Sequence, residues 1–153
     1  MNIIYIEDSG SALYKIDELE EYEGHVVYNS EYLADIGYWL EEKPGASKFG
    51  ALIFDLVFDN PLRVKGLESL DLSVPYEPSK HPYPSLHVIK HYVLRKFPRF
   101  KGKIILCSAF FDTLEEDPEI KKDLENYELL NKKSPSLNRD LINALRRMEG
   151  RRG

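Results

Sequence analysis

Several things are scarce in this chain of 153 residues, and each scarcity excludes something. There is one cysteine, so no internal disulfide can form, and Cys107 sits inside an apolar run where a free thiol behaves as a small buried hydrophobe. No uninterrupted apolar run reaches half of the ~20 residues that a membrane-crossing helix needs. No basic stretch followed by an apolar core opens the chain, so no secretory signal is visible and the sequence reads as cytoplasmic. Positive charge is also in short supply: 21 Lys and Arg stand against 26 Asp and Glu, a net charge of −5, where a nucleic-acid surface needs a basic stripe to displace counterions. The arginines at 146, 147, 151 and 152 are the exception, and they suit the negative end of a helix followed by a fraying tail.

What is present is a regular alternation. Asn2–Ile6, His25–Tyr28, Ala51–Phe54, Lys103–Ser108 and Glu128–Lys132 are short apolar or β-branched runs of strand length. Between them lie helical spacings. Leu13, Ile16 and Leu19 form the first, ended by Gly24, and Leu33, Ile36 and Leu40 the second, opened by Ser30 and broken at Pro44 and Gly45. Leu86, Ile89, Val93 and Phe97 follow the candidate cap Ser85, and Ile120 and Leu124 follow Asp117 and Pro118, a cap and first-turn proline. Leu137, Leu141, Ala144, Leu145 and Met148 follow Ser136. Five βα units without an internal repeat predict one domain over residues 1–150, with a disordered tail at 151–153. The fold class is α/β: a flavodoxin-like, doubly wound, five-stranded parallel sheet in the order 2-1-3-4-5 with helices on both faces. One segment breaks the pattern. Residues 59–84 hold five of the nine prolines and are too long for an ordinary connection; Leu62 with Val64, and Leu70, Leu72 and Val74, alternate with polar residues and suit a small hairpin or edge arm.

In an open parallel sheet the ligand crevice lies beyond the carboxyl ends of the strands. Four strands here stop on residues with chemistry: Glu7 and Asp8, Asp55, Ser108, and Lys132. Three carboxylates in one pocket repel one another, which calls for a hard divalent cation, and Mg²⁺ accepts such oxygen donors together with phosphate oxygens and water.

Glu7-Asp8 after the first strand, Asp55 after the third, Ser108-Ala109 after the fourth and Lys132 after the fifth resemble, in order, placement and residue type, the receiver domain of two-component response regulators. The resemblance spans almost the whole chain. It implies that Asp55 is a phosphoacceptor, that Glu7, Asp8 and Asp55 hold Mg²⁺, and that Ser108, Ala109 and Lys132 contact the arriving phosphoryl group. It further implies a sensor histidine kinase or phosphotransfer protein as donor and a downstream protein target. The output surface would come from about Asp112 to Met148, and catalysis would extend only to the chain's own phosphoryl transfer and hydrolysis. With few residues after the last helix, a stand-alone regulator acting by protein contact is expected.

The chain departs from that pattern in four places. Lys132 is followed by Lys133 and Ser134 before Pro135, where the family has proline at once; alternation across the strand favours Lys132 over Lys133. Leu129 and Leu130 stand where an aromatic switch residue is expected, with Tyr127 a little early. Phe110 is bulky beside the pocket mouth, and the 59–84 insertion follows Asp55 closely enough to cover the pocket, shape a kinase interface or form a homodimer contact. Two rival readings are an adaptor that is never phosphorylated and acts through the insertion, and a phosphohydrolase with Asp55 as nucleophile and Asp59 as acid. Three residues separate those aspartates, which departs from the DxD spacing of such hydrolases. His87 and His91, four apart with His81 nearby, lack the context of a zinc motif and read as solvated side chains.

Overall fold

The computed structural model describes residues 1–7, 24–43, 45, 48–114 and 116–150. The helix expected around Leu13, Ile16 and Leu19, the expected metal ligand Asp8, Pro44 and the tail 151–153 lie outside the described residues.

Five strands pair in parallel: β1 (Asn2–Ile6), β2 (Val26–Ser30), β3 (Phe49–Asp55), β4 (Ile104–Ser108) and β5 (Glu128–Asn131). Their order is β2-β1-β3-β4-β5, which is the flavodoxin-like arrangement expected from the alternation of elements. β1, β3 and β4 are buried on both faces, and their side chains divide by the two-residue period of a strand. Ile4, Ile6, Leu52, Phe54, Ile104 and Leu106 face one layer; Ile3, Tyr5, Ala51, Ile53, Ile105 and Cys107 face the other. Fully burying a side chain such as Phe54 or Ile53 contributes ~1.5–3 kcal/mol, so these central strands anchor the molecule.

Helices cover both layers. α1 (35–42) begins as an α-turn at Asp35–Gly37 and widens into a π-turn over Tyr38–Glu42. Ser30 does not cap it directly: its hydroxyl bonds the Asp35 carboxylate, and turns at 32–34 intervene. α2 (84–96) likewise contains a π-turn, Ile89–Val93, between α-turns Pro84–Val88 and Leu94–Lys96. α3 (Phe111–Leu114) is a single turn. α4 (Pro118–Leu124) starts at Asp117, whose carboxylate accepts from Glu119 N at 2.9 Å. α5 (Leu137–Gly150) lies on the second face, burying Leu141, Ala144, Leu145 and Met148. No helix among the described residues is long and apolar enough to cross a membrane.

The expected hairpin within residues 59–84 does not form. Two 3-10 turns, Pro61–Val64 and Leu67–Ser69, are followed by irregular chain, and no strand occurs there. Proline at 61, 75, 78, 82 and 84 removes the amide donors that a ladder needs. The leucines pack inward instead of alternating across a sheet: Leu67 and Leu70 are buried in the first layer, with Leu72 partly covered. Gly37 admits this approach, because a β-carbon there would lie 2.7 Å from Leu70 Cδ2. At the β2 edge, Tyr28, Trp39 and Phe49 form a ring cluster with centroids 5.3–6.4 Å apart. The Lys43 ammonium stands 3.6 Å from the Tyr28 centroid and 4.6 Å from that of Trp39.

Candidate phosphoryl-transfer site

Strand register places the chemistry. Ile6 pairs with Phe54, Asp55 with Cys107, and Ser108 with Asn131, so the residues ending β1, β3, β4 and β5 form one rim. Glu7 and Asp55 are 1% and 4% exposed. Lys132 reaches in from the far strand: its Nζ donates to Glu7 Oε1 at 2.8 Å and stands 3.1 Å from Asp55 Oδ2. Its own amide is tied to the Ser108 carbonyl at 2.9 Å, which extends the β4–β5 pairing past Asn131 and aims the side chain at the carboxylates.

The electrostatics follow from burial. Desolvation disfavours the Lys132 charge, yet the hydrogen bond to Glu7 and the nearby Asp55 carboxylate outweigh it, and the ammonium is held above the ordinary lysine value. Burial pushes the Cys107 thiol far up, against the pull of Lys132, so this cysteine stays a protonated, inert neighbour. The Tyr5 phenol is driven upward by burial first, then by Cys107, Glu7 and Asp55.

The structure brings Glu7, Asp55 and Lys132 into direct contact. Ser108 is buried on the same rim, where its Oγ accepts from Phe110 N at 3.0 Å, and Ala109 follows it, half-buried. Asp8 is outside the described residues. Lys133 is turned away: it is exposed, with its ammonium 4.9 Å from the Phe110 ring, itself 54% exposed. Lys132, not Lys133, therefore contacts the carboxylates.

One contributor was missed. Ser85, expected as a helix cap, is fully buried, and its hydroxyl donates to the Asp55 carbonyl at 2.5 Å; Tyr83 occupies the cap position and Pro84 the first turn. A serine after proline at a helix start signals a cap, and nothing local marks it as a partner for a residue thirty positions away. The histidines also differ from expectation. His87 is 6% exposed and stacked between His81 and His91, because the insertion folds over it.

The donors fit a hard cation. Two buried carboxylates converge, and Glu7 Oε2 is buried with no hydrogen-bond partner, an orphaned acceptor of the kind a cation satisfies. Among the described residues no group of three or more His, Cys, Asp or Glu forms a metal site, so the described protein donors number two.

No protein-family model matches the sequence, and no curated protein matches it. Solved structures do match. The non-phosphorylated receiver domain of the stress response regulator RcsB from Escherichia coli has TM-score 0.61 at 21% identity, over 98% of this chain and 93% of that one. The receiver domain of a Francisella response regulator has TM-score 0.59 at 16% identity, over 99% and 98%. RcsB from Salmonella typhimurium has TM-score 0.61 at 21% identity; the match covers 98% of this chain but 59% of that longer one. With its strand order and the acidic rim at the strands' carboxyl ends, this chain has the fold of the response-regulator receiver domains.

Proposed function

We propose that this chain acts as a receiver, taking a phosphoryl group onto Asp55 from a phosphohistidine donor and signalling by protein contact. The observation that carries the reading is the buried triad in which one ammonium bridges Glu7 and Asp55 beside an orphaned Glu7 oxygen. An Asp55 oxygen attacks phosphorus, the P–O bond of an acyl phosphate forms as the donor's P–N bond breaks, and the departing imidazole takes up a proton. Lys132 already stands against Asp55 Oδ2 and offers its charge to the incoming phosphoryl oxygens. Ser108 Oγ accepts from Phe110 N through a lone pair and offers its hydroxyl hydrogen to the same group.

Glu7 and Asp55, with Asp8 next to Glu7 in sequence, would hold Mg²⁺, which when bound neutralises charge on the transferring group. The donor is a sensor histidine kinase or phosphotransfer protein, the reader is a downstream protein, and the chain's chemistry extends only to its own transfer and hydrolysis. Modification shifts an existing conformational equilibrium and alters the surface from about Asp112 to Met148.

The test is incubation with acetyl phosphate and Mg²⁺, followed by intact-mass analysis of wild type and Asp55→Asn. A phospho-adduct present in wild type and absent in the variant is expected. No adduct at any time sinks the proposal in favour of an unphosphorylated adaptor. Rapid multiple turnover of phosphate monoesters would sink it in favour of a hydrolase.

A further inference from the structure

Away from the carboxylate pocket, three imidazoles form a tilted stack, with interplanar angles of 37° and 49°. The His81 and His87 centroids are 4.1 Å apart, those of His87 and His91 4.5 Å, and the Tyr76 ring lies 5.8 Å from His87. The stack joins the insertion to α2. His87 Nε2 donates to the Val74 carbonyl at 2.7 Å, Ser73 Oγ and His91 Nδ1 lie 3.0 Å apart, and Ser73 N donates to the His91 carbonyl at 3.0 Å. His81 Nδ1 accepts from Glu77 N at 2.9 Å, closing the turn that presents it. The rings line a cleft of about 530 Å³ between α2 and α4.

This arrangement requires neutral rings at His87 and His91. Cations at His87 and His91, with ring centroids 4.5 Å apart, would repel each other in a partly desolvated site. The surrounding charge does not relieve this. From the insertion come Lys80 and Glu77, which pair at 3.1 Å; from α2 come Lys90 and Arg95; across the cleft α4 presents Glu119, Lys122 and Asp123. Burial lowers both the His87 and the His91 values, and the charged neighbours that act on them, His81, Lys90 and, for His91, His87 and Arg95, lower them further. The Val74 hydrogen bond opposes this at His87 and does not reverse it.

We propose that His87 and His91, packed with His81, form a proton-operated latch, which when both are neutral holds residues 73–81 against α2 and when they are protonated releases them. The closed state binds fewer protons than the open one. The latch is therefore closed at and above the ordinary imidazole value of ~6.5 and opens as pH falls below it. Each proton taken up raises the opening equilibrium by at most about tenfold per pH unit. Release widens the cleft and frees Tyr76 and Val74. The latch stands independently of phosphorylation at Asp55.

The test is amide hydrogen exchange at pH 7.5 and 5.5, corrected for intrinsic rates, on the full chain. At pH 5.5 the amides of Ser73, Glu77, Lys80 and His81 should lose about tenfold or more of their protection, while those of β3 and β4 keep theirs. A His87→Gln/His91→Gln double variant, which keeps amide hydrogen bonding but cannot titrate at those rings, should lose much less. Equal protection at both pH values in wild type, or an undiminished loss in the variant, overturns the latch. Should the variant not fold, an NMR titration of the wild-type His87 and His91 imidazoles decides. Coupled titration below the free-imidazole value with shifts at residues 73–81 supports the latch; independent titration at the ordinary value without such shifts overturns it.

Discussion

The molecule holds two polar clusters, built on opposite logic. At the carboxyl ends of the sheet, unlike charges meet: Lys132 bridges Glu7 and Asp55, and four strands in fixed register hold them there. Over α2, like groups meet, three imidazoles of which His87 and His91 are tolerable together only while uncharged, held by a segment with little regular structure. The first cluster is preorganised by backbone pairing and needs a ligand to change it. The second is organised by the side chains themselves, so a proton suffices. Rigidity in the sheet and lability in the insertion are thus assigned to different chemistries.

Three substitutions probe that contrast. The largest effect is expected from Lys132→Met, which leaves two buried carboxylates facing each other. Urea unfolding near pH 7 should show a loss of about 3 kcal/mol, at the low end for a broken buried ion pair because the lysine is partly exposed. Adding Glu7→Gln should recover part of it; a loss within experimental error would show that the pocket is not held electrostatically. Next comes Ser85→Ala, which strips the Asp55 carbonyl of its side-chain donor. A cost of about 1–2 kcal/mol in the same assay is expected for removing one member of a buried hydrogen bond. Smallest is Arg147→Ala, which breaks an exposed bidentate pair with Glu128 at 3.0 and 3.1 Å. A change of about 0.5 kcal/mol, reduced further in high salt, is expected, and a cost matching Lys132→Met would erase the distinction between buried and surface charge.

The sheet was legible because buried parallel strands write themselves as short β-branched runs, and because each run here stops on a polar residue. IIYIED and ALIFD carry both strand and rim in a few letters. Lys132 could be ranked above Lys133 because strand alternation sends neighbours to opposite sides. The insertion was not legible, for a physical reason. Alternation at Leu70, Leu72 and Val74 has the period of a strand, yet Leu72 N closes on the Leu70 carbonyl in a tight local turn, and Leu70 is buried against Gly37. Periodicity reports which residues want burial, not which surface receives them. The histidine stack was hidden for the same reason: His87 and His91 share a helix face, but only the fold of residues 73–81 brings His81 and covers them.

The ring cluster at the β2 edge has a practical consequence. Trp39 is the chain's only indole, and it lies among Tyr28, Phe49 and the Lys43 ammonium. Phe49 begins β3 and Asp55 ends it, six residues or about 20 Å away at strand rise. Indole emission from this protein is therefore a gauge of whether the β2 edge is folded, and it arises far from the carboxylates. Chemistry at Asp55 has to be followed with a reporter placed there.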